Sequence, residues 1–294
     1  MACAGIAYNA LLYNAVGPPP YSPATSVRLL APLPPLPPGL HLTSSANLPV
    51  PSANFGAAAN RTNVELQAVV AALASGPVGI SDGPGLTNAT RCLMFCTKDG
   101  TLLHPTVAAT PIDKMFHSTL RPDGDSAEVR AAPTLVGGNG GPGAVWWTVL
   151  AVDLARPFLL DREDLNHFTP DGPGPNTVPP PPPLLAWRLH DPACSTGKPA
   201  SGCLRPLASG SGGGLHLETG GASLRAFSEH RFSNFGLGLV CEDGFGLLGE
   251  LGKHVAASAA RLASVRCLAG DGEGEAAGGV EVQVAGAAGE QVRH

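Results

Sequence analysis

The residues whose types could do chemistry are few. Asp82 follows a short apolar run, Val78-Gly79-Ile80, and precedes Gly83-Pro84-Gly85. A carboxylate there can accept amide protons of the turn or cap the helix that follows. Asn88 stands at the start of that helix, with the same choice between capping and binding. Trp146, Trp147 and Trp187 offer faces on which a sugar could stack, but their place in strand-like runs favours a core role. His104, His117, His190, His216, His230 and His254 show no ligand spacing, and no Ser/His/Asp arrangement is defensible. The sequence therefore asks for no metal and no cofactor. Ser209 to Gly214 (SGSGGG) follows no strand and opens no basic helix, so it reads as a linker and not as a phosphate loop.

The seven cysteines make no repeating framework. Cys194 and Cys203 bracket a Gly/Ser/Pro loop and are the best local disulfide candidate, provided the compartment is oxidising. Cys92 and Cys96, at i and i+4, fit one apolar helix face, where parallel Cβ vectors favour two buried thiols over a bridge. Asn60-Arg61-Thr62 and Asn88-Ala89-Thr90 fit the glycosylation sequon, at a frequency close to chance.

Local signals agree best over 61–113. Thr62-x-x-Glu65 is a capping box, and Leu66, Val69, Val70 and Leu73 recur at helical spacing. Ser75-Gly76-Pro77 ends that helix, with Gly76 suited to the left-handed position. Val78-Gly79-Ile80 reads as a buried strand, and Ala89, Cys92, Leu93 and Cys96 as the inner face of a second helix. Lys98-Asp99-Gly100 is a turn, followed by a strand at Thr101-Leu102-Leu103. The order is helix, strand, turn, helix, strand.

The flanks differ in composition. Glycine (38) and proline (30) are abundant and clustered, and only 5% of residues are aromatic. Residues 17–56 and 169–183 are Pro-rich, which removes amide donors and predicts extended, irregular chain. Phe116 to Gly143 is rich in turn signals. Val145 to Asp153 is the strongest strand, and further short strands are expected at 158–160, 184–190, 215–218, 224–227, 237–241, 247–251, 263–268 and 280–284. The net charge of −5, with no dense Lys/Arg cluster, gives no footprint for nucleic acid. No run is long and apolar enough for a membrane span, and residues 2–16 lack the basic start of a signal peptide.

The run ELQAVVAALASGPVGISDGPGLTNA, then DGTLLHP and ATPID, resembles the end of the catalytic barrel in glycoside hydrolase-like proteins related to raffinose synthases and α-galactosidases. WWTVLAVDLARPFLL (146–160) and DGFGLLGELGKHVAASAARLASV (243–265) resemble the β-domain that follows in that group. The resemblance implies a mainly β chain with a small α/β part. The last βα unit of a TIM barrel would lie at 62–115, behind an irregular N-terminal segment (1–61). An antiparallel β-sandwich with Pro/Gly-rich insertions would fill 116–294. It also implies a carbohydrate ligand, with Asp82 and Asn88 as sugar-hydroxyl contacts at the barrel mouth. Retaining hydrolysis needs two carboxylates about 5–5.5 Å apart, and no stretch here matches the family's catalytic motifs. The chain thus reads as a carbohydrate-active tail that is not catalytic by itself. A non-catalytic β-module that holds carbohydrate or a protein partner is the alternative.

Overall fold

A computed structural model describes residues 22–25, 64–80, 88–115, 127–137, 144–154, 156–168, 184–189, 203–207, 214–217, 232–241, 244–268 and 278–290. The fold is mainly β, with antiparallel sheets and few helices. The strands are β1 Ser22–Thr25, β2 Val78–Ile80, β3 Thr110–Pro111, β4 Glu128–Val136, β5 Ala144–Val152 and β6 Phe158–Leu160. They continue with β7 Leu184–Leu189, β8 Leu204–Leu207, β9 Leu215–Leu217, β10 Phe232–Leu239, β11 Leu262–Leu268 and β12 Gly279–Val284. The helices are α1 Val64–Leu73, α2 Ala89–Cys92 and a 3-10 helix at Arg162–Phe168, and residues 113–115 are also helical.

The centre is a six-stranded antiparallel sheet ordered β3-β4-β5-β10-β7-β8. Strand alternation sorts β5 into two faces. Trp147, Val149 and Ala151 meet Val129, Ala131, Phe235, Leu237, Leu184 and Ala186 on one face, covered by Leu160, Leu215 and Leu217 of the β6-β9 pair and Leu165 of the 3-10 helix. Leu150 and Trp146 point to the other face. There α1, Phe95 and Val255 cover one end, while Ala256, Ala257 and Leu262 cover the other. Because both faces of β5 are buried, its run AVWWTVLAV reads as nearly continuous apolar sequence.

Strand β4 emerges from the stretch whose turn signals predicted irregular chain, and its Pro133 is the instructive residue. Val129 O accepts from Ile112 N (3.2 Å), Pro133 O accepts from Val107 N (3.3 Å), and Leu135 N donates to Thr106 Oγ1 (2.9 Å). Odd-numbered backbone groups of β4 therefore face the 106–112 segment, not β5. Pro133, which lacks an N–H, falls on that side, so the β4–β5 ladder loses no donor. Pro111 and Pro206 lie in the two edge strands, where a missing donor discourages pairing with another chain.

Close approach explains two glycines of β10. A Cβ on Gly236 would lie 2.4 Å from the Trp187 ring, and one on Gly238 would lie 2.9 Å from Trp146 Nε1. Both indoles lie against β10 where it has no side chain. All three tryptophans are buried, in keeping with a core role.

Several expectations for 61–113 are revised. Helix α1 forms, but burial extends beyond one stripe: Ala68, Ala71 and Ala72 are as buried as Leu66, Val69 and Leu73. Its small alanines let neighbours close in on several sides. The left-handed residue after it is Ser75 (φ 57), whose hydroxyl donates to Pro105 O at 3.1 Å, one residue before the glycine suited to the role. Strand β2 has a parallel partner, β1, inside the Pro-rich segment that predicted only irregular chain. The second helix is a single turn; Leu93 beyond it is 47% exposed, so it is no inner-face residue. The Thr101–Leu103 strand reduces to one bridge, Cys96 with Leu102, around the turn at Asp99-Gly100. Leu247–Leu251 is irregular chain, not strand. Thr62, Leu224–Phe227 and residues 169–183 lie outside the described residues.

Candidate functional site

Of the two residues singled out for sugar contact, Asp82 lies outside the described residues. Asn88 is the N-cap of α2. With extended backbone (φ −90, ψ 105), its Oδ1 accepts from Thr90 N (3.0 Å) and Arg91 N (3.3 Å). That geometry satisfies amides a helix start otherwise leaves unpaired. The capping role accounts for Asn88 Oδ1.

Cys203 is disulfide-bonded, and both its partner and Cys194 lie outside the described residues. A second bridge, Cys241–Cys267, was not legible in the spacing. The pair is 26 residues apart, and only the packing of the β10 end against the β11 end brings the Cα atoms to 5.7 Å. Cys92 and Cys96 are free thiols, but half-buried and not fully buried as helical spacing suggested. The helix stops at Cys92, and Cys96 Sγ turns back to Cys92 O at 3.4 Å. Burial raises the Cys96 thiol above its ordinary value, with Lys253 working the other way.

The densest gathering of charge among the described residues surrounds Arg261, which is fully buried. Its Nε and Nη2 donate to Glu250 at 2.6 and 3.4 Å, its Nη1 and Nη2 to Glu290 at 3.0 and 2.8 Å, and its Nη1 to Ala285 O at 2.7 Å. Five N–H donors thus make five bonds, which is all a guanidinium has. Glu290 further accepts from Lys98 N (2.9 Å) and Ala287 N (3.2 Å). Lys253 lies 3.5 Å from Glu250 and donates to Leu93 O and Cys96 O, carbonyls that follow α2. Beside it, His254 N donates to Met94 O, and its ring meets Phe95 edge-on at 4.9 Å. Three segments far apart in sequence, 93–98, 250–261 and 285–290, are tied at one place.

This cluster holds two carboxylates, yet its electrostatics oppose acid–base work. The Arg261 bonds hold Glu290 down to about 2, so it is ionised near neutrality and has no proton to give. A glycosidic general acid needs the reverse shift. The guanidinium has no donor left for an anionic ligand. Asp161 and Asp164, a second pair of carboxylates, share the exposed Lys114 at 2.7 and 2.8 Å, with the Asp164 side chain itself buried. Both arrangements are suited to holding segments together and not to turning over a substrate. No group of three metal-ligating side chains gathers among the described residues, and no described helix is long and apolar enough to cross a membrane. No family model matches the chain, and no curated protein matches it.

Proposed function

We propose that the chain is the C-terminal part of a glycoside hydrolase-like, carbohydrate-active protein of the α-galactosidase and raffinose synthase kind, not catalytic by itself. The observation that carries this reading is the parallel pairing of β1 with β2, with α1 between them in the chain and in contact with β1. Parallel neighbours need a crossover, commonly a helix, and such a unit is the building block of a barrel. The unit precedes an antiparallel sheet, the order the resemblance calls for. The β6-β9 pair over one face of that sheet supports a sandwich-like C-terminal part. Asp82 remains the proposed sugar contact of that unit, whereas the side-chain oxygen of Asn88 serves as the cap of α2.

The test is an assay of the purified chain on an aryl α-galactoside. No turnover is expected, because hydrolysis needs a nucleophile and a proton donor facing one sugar. Robust turnover abolished by a single Asp or Glu substitution would overturn the reading. Transcript sequence upstream of Met1 supplies the complementary check, an in-frame barrel with two catalytic carboxylate motifs being the expected outcome.

A second reading, a non-catalytic binding β-module, draws on Phe245. This ring is 47% exposed at the base of a tight turn, where Cys241 N donates to Phe245 O (2.7 Å), while the three tryptophans are buried. Loss of sugar binding in Phe245→Ala, with the fold intact, would favour it.

A further inference from the structure

We infer that Asn88 accepts an N-linked glycan when the chain passes through a compartment that forms disulfides. Three independent observations converge on it. The sequon Asn88-Ala89-Thr90 has no proline at its middle position. Ala89 and Thr90 are exposed, and Asn88 is half-exposed. Its Oδ1 is taken up by Thr90 N and Arg91 N, while Nδ2, the atom that would be modified, donates no hydrogen bond among the described residues. Finally, Cys241–Cys267 is bridged and Cys203 is disulfide-bonded, the cysteine chemistry of an oxidising compartment, where such transfer takes place.

Chemically, modification and capping are compatible because they use different atoms. The Asn88 Nδ2 forms a bond to C1 of an oligosaccharide carried on a lipid diphosphate. The bond from C1 to the diphosphate oxygen breaks, the lipid diphosphate leaves with its electron pair, and Nδ2 gives up one of its two protons. The product is still an amide whose Oδ1 accepts, so the α2 cap survives. The fold therefore needs no rearrangement to carry the sugar at this place.

The experiment is secretion of the full chain from a eukaryotic host behind that host's own leader, with digestion by a peptide-N-glycosidase and peptide mapping. Asn60-Arg61-Thr62, the other sequon, is separated from it by Asn60→Gln. Asn88→Asp is the decisive variant, since aspartate caps a helix as well as asparagine but offers no amide nitrogen. The expected result is a glycosidase-sensitive mass shift that persists in Asn60→Gln, is lost when Asn88→Asp or Thr90→Ala is added to that background, and maps to the peptide holding Asn88. Secreted wild-type protein with Asn88 unmodified, or a shift that disappears entirely in Asn60→Gln, would overturn the proposal. Unchanged secretion of Asn88→Asp separates loss of the glycan from loss of the fold.

Discussion

Replacing Gly238 by alanine tests whether the tryptophans are structural. The added Cβ would lie 2.5 Å from Leu247 O and 2.9 Å from Trp146 Nε1. Those two atoms are themselves bonded, the indole donating to the carbonyl at 3.0 Å. Carbon contacts are comfortable near 3.5–4.0 Å, so indole and backbone must yield by about 1 Å. Overpacking of this kind costs about 1–3 kcal/mol, and loss of the indole hydrogen bond adds roughly 0.5–1.5. A destabilisation of about 2–4 kcal/mol is expected, read as a lowered urea midpoint with unchanged slope. The control is Gly279→Ala, where a Cβ meets nothing within 4 Å; its effect should stay within about 0.5 kcal/mol. If both variants unfolded at the same urea concentration, Trp146 would not lie over β10. The case that it is a core residue and not a sugar platform would then fail.

Other expectations follow from the buried cluster and the cysteines. Arg261→Ala strands two carboxylates, Glu250 and Glu290, and should destabilise by about 3–5 kcal/mol in urea unfolding. Glu290 has its folded pKa lowered from 4.5 to about 2, so the stability it contributes is fully present above 4.5 and lost as pH falls through about 2. The urea-midpoint gap between wild type and Glu290→Gln should accordingly close over that window, and a gap independent of pH would refute the assignment. Removing the Cys241–Cys267 bridge, which joins residues 26 apart, by double replacement with alanine should cost about 3.5 kcal/mol by the chain-entropy relation, measured against wild type without reductant. Cys96, its thiol pKa raised by burial, should alkylate slowly near neutrality and faster as pH rises into the alkaline range. Rapid labelling of Cys96 at neutral pH would contradict the packing described.

Legibility from sequence followed the range of the forces involved. Helix α1 was readable because Leu66, Val69, Val70 and Leu73 repeat at the helical period, and β5 because its aromatic and β-branched run has no competing local structure. The Asp99-Gly100 turn and the cap at Asn88 were readable for the same reason, since the atoms that satisfy the backbone lie within three residues. Strand β4 was not readable: Pro133 argues against an inner strand, and only the sheet decides that its missing donor faces the 106–107 segment. Likewise β1 gains strand character from β2, more than 50 residues on, and not from its own proline-rich neighbourhood. The Cys241–Cys267 bridge and the five-bonded Arg261 join groups whose spacing carries no pattern, so tertiary packing alone selects those partners. Sequence determined the local periodicities and turn chemistry here, because those interactions span a few residues. Tertiary structure decided which buried charge and which thiol finds which partner, because burial makes an unpaired polar group too costly to leave and any segment that comes near can supply its mate.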